Sequence, residues 1–152
     1  IARFALDEAL PEDLIVHREA ISSFVQSCFE AENFFEAFDS GLRSLPENEW
    51  IARSVHTYQS GSPTTARIFL EQIRRARGMS LAEIFQMELA VAYQCIQRPD
   101  FPEGVRALLI DKDKKPAWAF ESATAVPDDY VKSHFKEAWR GPHPLNDLVI
   151  GS

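Results

Sequence analysis

Ser80-Leu81-Ala82-Glu83-Ile84-Phe85-Gln86-Met87-Glu88-Leu89-Ala90-Val91-Ala92-Tyr93-Gln94-Cys95-Ile96 opens on a capping box and contains neither glycine nor proline. The Ser80 hydroxyl can accept the N–H of Glu83 while the Glu83 carboxylate reaches back to the Ser80 N–H, which satisfies two donors that a helix start leaves orphaned. Behind the box, Leu81, Ile84, Phe85, Leu89, Ala92 and Ile96 recur at helical spacing, and Met87, Val91 and Cys95 widen the stripe. A helix apolar over so much of its circumference is expected to be central. The spacing predicts the longest helix of the chain here and sets the class as all-α.

The neighbouring segments agree. Just upstream, Ser62 can cap a helix with Pro63 at its first position. That helix is expected to carry Ile68, Phe69 and Ile73 inward and to end in Arg74-Arg75-Ala76-Arg77-Gly78, basic residues followed by glycine. Before it, a helix is expected from Glu47 to Gln59 with Trp50, Ile51 and Val55 inside. Phe34, Phe35, Phe38, Leu42 and Leu45 form an earlier helical repeat that Pro46 stops, and Pro11-Glu12-Asp13 opens a first helix running to about Ser27.

Downstream, Pro99-Asp100-Phe101-Pro102 ends the central helix and starts a short one, Glu103 to about Ile110. Asp111 to Pro127 reads as a loop holding Trp118 and Phe120. Asp128-Asp129 begin a last short helix with Tyr130, Val131, Phe135 and Trp139, and Gly141-Pro142-His143-Pro144 breaks it. The expected organisation is one helical subdomain over 1–139 and a loosely ordered tail over 140–152.

Composition narrows the function. With 16 Lys+Arg against 23 Asp+Glu the net charge is -7, the wrong sign for a nucleic-acid partner. No apolar run approaches the ~20 residues that span a bilayer, so no membrane partner is expected. Cys28 and Cys95 are too few for a disulfide scaffold, have no metal-ligand spacing and read as small buried residues in a reducing compartment. The opening Ile1–Leu10 has no leader pattern and reads as the middle of a protein, so a fragment is expected.

Catalytic signatures are missing from the sequence: no Gly-x-Ser-x-Gly, no phosphate-cradling glycine loop, no metal-ligand set. His17, His56, His134 and His143 have no partner at a helical interval and read as surface or structural. Of the acid pairs Asp7-Glu8, Glu12-Asp13 and Asp128-Asp129, the last two are explained by helix starts. Glu88 and Arg106 each interrupt an apolar stretch. An unpaired buried charge costs several kcal/mol, so the two are expected to pair; a catalytic Glu88 is the rarer alternative. Lys112, Lys114 and Lys115 follow an apolar helix and read either as a solvated turn or as a site for a phosphorylated ligand, the solvated turn being the commoner case.

Phe101-Pro102-Glu103-Gly104-Val105-Arg106-Ala107-Leu108-Leu109-Ile110-Asp111-Lys112-Asp113-Lys114-Lys115-Pro116-Ala117-Trp118 closely resembles the C-terminal signature of 3-hydroxyisobutyryl-CoA hydrolases, members of the enoyl-CoA hydratase/isomerase (crotonase) superfamily. Ser62-Pro63-Thr64-Thr65 and the Ser80–Cys95 helix resemble the same family upstream, and Cys28-Phe29 does so more loosely. The resemblance runs from about Ile15 to Trp139. It implies the helical C-terminal subdomain of an α/β enzyme that hydrolyses a short hydroxyacyl-CoA thioester in valine breakdown. The catalytic carboxylates and oxyanion hole would lie in an N-terminal crotonase core, so no catalytic residue is expected in this chain.

The helices would cover the CoA channel and form domain or subunit contacts, with a homo-oligomer expected. No cofactor is expected, since coenzyme A is part of the acyl-CoA substrate. A cytoplasmic location is implied, or the mitochondrial matrix in a eukaryote. The superfamily pattern Gly-x-x-Ala-Phe-x-Glu-Lys-Arg places a lysine near the adenine and phosphates of CoA. Gly104 to Lys112 is similar to it once one extra apolar residue is allowed, which makes Lys112 the candidate CoA contact. Asp113 stands where the pattern has Arg. Two other readings stay open: an enoyl-CoA hydratase or isomerase parent, which the Ile-Asp-Lys-Asp and Pro-x-Trp details disfavour, and a free-standing helical interaction module.

Overall fold

The computed structural model describes residues 12–45 and 48–148, with backbone alone over 12–14. Ile1–Leu10 with the pair Asp7-Glu8, Pro11, Pro46 and Glu47 lie outside the described residues, as does the end of the tail. Among the described residues the order is α1 (Glu12–Glu30), α2 (Phe34–Gly41), α3 (Glu49–Ser60), α4 (Pro63–Ala76), α5 (Leu81–Ile96), α6 (Asp100–Val105) and α7 (Asp128–Ser133). Short 3-10 turns lie at Leu42–Ser44 and Ala123–Ala125, a π-helical turn lies at Arg106–Ile110, and no described residue is in a strand. The all-α class holds. α5, with 16 residues, is shorter than α1, with 19, so it is not the longest helix.

The chain divides into two compact units, Ile1–Thr57 and Tyr58–Ser152. In the first, Asn33 caps α2 by accepting the N–H groups of Phe35 and Glu36 at 3.1 and 3.2 Å. α2 folds back on α1 through aromatic pairs, Phe24 with Phe38 at 5.3 Å and Phe29 with Phe34 at 4.7 Å between ring centroids. Gly41 allows this approach, because a Cβ there would sit 2.6 Å from Phe24 Cε2. Asn48 caps α3, accepting the Ile51 N–H at 2.9 Å.

In the second unit the caps fall where the residues called for them. The Ser62 hydroxyl accepts the Thr65 N–H at 3.1 Å, and the Ser80–Glu83 box closes with 3.3 and 2.7 Å bonds. Gly78 takes φ +85° just past α4, a left-handed stop that glycine adopts without Cβ strain. The core joins Ile68 of α4, Val91 of α5, Val126 and Val131, with Cys95, Phe120, Tyr130 and Phe135 packed against it.

The inward faces differ from those expected. Phe69 is 59% exposed beside Ile68 at 4%. On α5 the core side is Ala90 and Val91, whereas Leu81, Phe85 and Ile96 face solvent and Ala92 is exposed too. A helix that is apolar nearly all round does not declare its inner side by spacing, and the small residues Ala90 and Val91 permit the closer approach. The apolar remainder forms an uncovered face.

α7 ends at Ser133, before Phe135 and Trp139. The segment expected to be a loose tail is hydrogen-bonded to α5. His143 Nδ1 accepts the Leu145 N–H at 3.0 Å, which leaves Nε2 to donate to the Gln86 carbonyl at 3.1 Å, and the Gln86 amide donates to the Leu145 carbonyl at 2.9 Å.

His134 is buried at 1% exposure, and its Nδ1 donates to the Tyr130 carbonyl at 2.9 Å. Burial, then the Arg98 charge, pushes its pKa below the ordinary 6.5, against the opposing pulls of the Tyr130 carbonyl and Asp100. A histidine depressed in the fold must stay neutral there. Its contribution is intact above pH ~6.5 and is lost as the pH falls below that value. Thermal melts should therefore show a lower midpoint at pH 5 than at pH 7, with a shallower dependence in His134→Gln; equal dependence in the two proteins would contradict this role.

Candidate functional site

The segment bearing Lys112 is built on α6. Asp100, at its start, accepts the Ser62 hydroxyl at 2.5 Å and the Ala119 N–H at 2.8 Å, tying the beginning of α4 to the returning loop. Trp118 lies against Gly104, where a Cβ would sit 3.4 Å from its Cη2. After Val105 the backbone widens from α to π. The Asp111 N–H bonds to the Arg106 carbonyl at 2.8 Å, an i→i+5 step. A π turn holds one residue more than an α turn over the same path. The three apolar residues between Ala107 and Asp111 lie within this turn, and Leu108, Leu109 and Ile110 face outward.

Lys112 follows at φ 56° and Lys114 at φ 55°. Left-handed backbone costs a non-glycine residue roughly 1 kcal/mol or more, so the surroundings must hold it. Lys112 occupies the left-handed position that terminates many helices. The turn beyond it is pinned by Lys114 N–H to the Ala107 carbonyl at 3.1 Å, Lys115 N–H to Asp113 Oδ1 at 2.9 Å and Ala117 N–H to Glu103 Oε1 at 2.7 Å.

At the centre of the turn is Arg106. Its guanidinium forms a bidentate pair with Glu103 at 2.9 and 2.7 Å. It also donates to Asp111 at 2.6 Å, to Asp113 at 2.8 Å and to the Lys115 carbonyl at 3.2 Å. The Arg106 guanidinium, then the Ala117 N–H, hold the Glu103 carboxyl down to about 2. Arg106 and the Lys115 N–H likewise lower Asp113, and the acids raise Arg106 further above its usual range. With Glu103 depressed, the pair contributes fully above pH ~4.5 and is lost only as the pH falls through about 2. Among the described residues Lys112, Lys114 and Lys115 make no ion pair, and all are exposed.

The expected Glu88–Arg106 pair does not form. Glu88 is exposed on the outer side of α5, and Arg106 is occupied by acids three, five and seven residues away along its own chain. Local partners close with less loss of chain entropy than a residue on another helix. Glu88, already in water, needs no counter-charge. Reading Arg106 at α-helical intervals finds Glu103 but passes over Asp111 and Asp113, which the π turn and the reversal after it bring back. A separate pocket of about 440 Å³ is lined by Arg75, Met79, Glu83, Gln86, Met87 and Phe135, among others. Of its polar lining, Arg75 is bonded to Glu71, Glu83 to Ser80 and Gln86 to the Leu145 carbonyl.

The model of the enoyl-CoA hydratase/isomerase family matches residues 2–135. The chain belongs to the enoyl-CoA hydratase/isomerase family. Among curated relatives, the mitochondrial 3-hydroxyisobutyryl-CoA hydrolase of Gallus gallus is 43% identical over 147 residues, 97% of this chain and 33% of that protein. Its namesake in Dictyostelium discoideum is 35% identical over 113 residues, 74% of this chain and 29% of that protein. The chain therefore spans about a third of the length of these relatives. Among solved structures, an enoyl-CoA hydratase from Rhodobacter sphaeroides 2.4.1 superposes with a TM-score of 0.68 at 26% identity, covering 88% of this chain and 39% of that one. The π turn, the Arg106 cluster and Lys112 all lie within the part of the family that this chain represents.

Proposed function

We propose that this chain is the C-terminal helical part of a CoA-thioester hydrolase of the 3-hydroxyisobutyryl-CoA type, and that its lysine turn holds the CoA end of the substrate. The chemistry would belong to an N-terminal crotonase core, whose amide donors would stabilise the oxyanion of the thioester. One observation carries the role of the turn. The π-helical step takes up the single extra residue that separates Gly104–Lys112 from the superfamily pattern, which supports equating Lys112 with the lysine of that pattern. The relatives named as 3-hydroxyisobutyryl-CoA hydrolases support the acyl group. The hydratase neighbour favours a hydratase parent as the second reading, at lower identity.

The outward apolar residues Leu81, Phe85 and Ile96 of α5 and Leu108, Leu109 and Ile110 of the π turn suit surfaces covered by the core or by a second subunit. The second of these covers would make the protein a homo-oligomer, and the relatives' names support a mitochondrial location.

Lys112→Ala in the whole enzyme is expected to raise KM for 3-hydroxyisobutyryl-CoA several-fold with little change in kcat, the mark of lost uniform binding. The effect should shrink with added salt, because exposed charges are screened over ~8 Å at physiological ionic strength. An unchanged KM, or a loss confined to kcat, would return Lys112 to a solvated helix end.

A further inference from the structure

We propose that Arg106 is a positioning residue for the phosphate-bearing end of the substrate, acting through the lysine turn by keeping Glu103, Asp111 and Asp113 gathered on its own guanidinium. The inference rests on the reading of Lys112 given above.

From Glu103 to Lys115 there are four cations, Arg106, Lys112, Lys114 and Lys115, and three anions, Glu103, Asp111 and Asp113. Asp111 and Asp113 flank Lys112 in the chain, and Asp113 also precedes Lys114. Left to themselves, such neighbours pair with the lysines and cancel the positive potential that a phosphate would meet. The guanidinium fork prevents this, because it binds all three acids at 2.6–2.9 Å. A lysine ammonium is a single point charge on a flexible stem and is far less suited to collecting several carboxylates. The same acids are also the loop's fasteners: Asp113 holds the Lys115 N–H and Glu103 the Ala117 N–H. The positive φ at Lys112 and Lys114 fits this arrangement, since the backbone reverses there while the acids turn inward to Arg106. The result is a sorted turn, with its anions drawn together on one cation and its lysines in no ion pair among the described residues.

Charge sorting and mere scaffolding make different predictions for carboxylate removal. Arg106→Met frees three acids, so KM of the whole enzyme for the CoA thioester should rise roughly fivefold, the scale of a surface charge pair, with kcat retained. Adding Asp111→Asn and Asp113→Asn to that variant keeps the Oδ1 acceptor for the Lys115 N–H but removes the two freed charges that flank Lys112. KM should then return to the wild-type value or below it. Arg106→Lys retains the charge and should lie between wild type and Arg106→Met, so it serves if the methionine variant fails to fold. A triple variant as weak as Arg106→Met, or, with lysine in place of methionine, a triple variant as weak as Arg106→Lys, would overturn the inference in favour of scaffolding. Lys112→Ala is measured alongside. If it leaves KM unchanged, the reading of the turn falls and the inference with it. If it raises KM while Arg106→Met does not, the inference alone falls.

Discussion

No hydrolysis of 3-hydroxyisobutyryl-CoA above the buffer rate is expected from residues 1–152 on their own. Enzymes accelerate their reactions by at least ~10⁶-fold, so the contrast with the whole enzyme should be unmistakable in a thiol-release assay. A carboxylate that exchanges protons near neutrality needs its pKa raised. Among the described residues the perturbed carboxylates move the other way: Glu103 and Asp113 are lowered by Arg106, Glu71 by Arg74 and Arg75 against its burial, and Glu83 by Ser80. His134 is buried and held neutral with its Nδ1 proton committed to the Tyr130 carbonyl. The thiols of Cys28 and Cys95 are pushed up by burial, which lowers the thiolate fraction a nucleophile requires. N-terminal amides of α2, α4 and α5, which could serve an oxyanion, are engaged by Asn33, Ser62 and Ser80. Turnover well above background would place catalytic groups within this chain and remove the need for a separate core.

What could be read from the residues, and what could not, divides between local and directional information. The caps of α4 and α5 are local: Ser62-Pro63 and Ser80–Glu83 specify their own hydrogen bonds within a turn, and both form. The side of α5 that faces the core is not local. Val91 is buried and Leu81 exposed although both belong to one broad apolar stripe, because the choice is made by what packs against the helix. The exposure of Glu88 has the same cause, since it stands on the side of α5 left open. At the candidate site, the position of Lys112 just past an apolar helix is legible. Its left-handed backbone is not, because lysine carries no preference for that conformation. The π turn is not legible either, because no residue in Arg106–Ile110 demands it, and only the hydrogen bond from Asp111 to Arg106 shows it. Arg106 was expected to seek a distant acid because α-helical periodicity hides the nearer ones.

Ile68→Ala should destabilise the chain by about 3 kcal/mol, whereas Phe69→Ala should change stability by less than about 0.5 kcal/mol. The two residues are adjacent in α4 and equally apolar, and sequence spacing assigned both inward. In the fold Ile68 is 4% exposed and meets Val91 of α5, Val126 after the 3-10 turn and Val131 of α7, so truncation opens a gap at the junction of four segments. Each of those neighbours is fixed by its own backbone, which limits how far the gap can close, and the cost rises with the volume left empty. Phe69, 59% exposed, loses little on truncation because its ring already lies largely in water. Urea titrations followed by far-ultraviolet circular dichroism would measure both. Similar losses for the two variants would mean that α4 is rotated from the orientation described. The same pair of substitutions in the whole enzyme adds a second comparison. If a core or a neighbouring subunit covers the outer side of α4, Phe69→Ala becomes costly there while remaining silent in the chain alone.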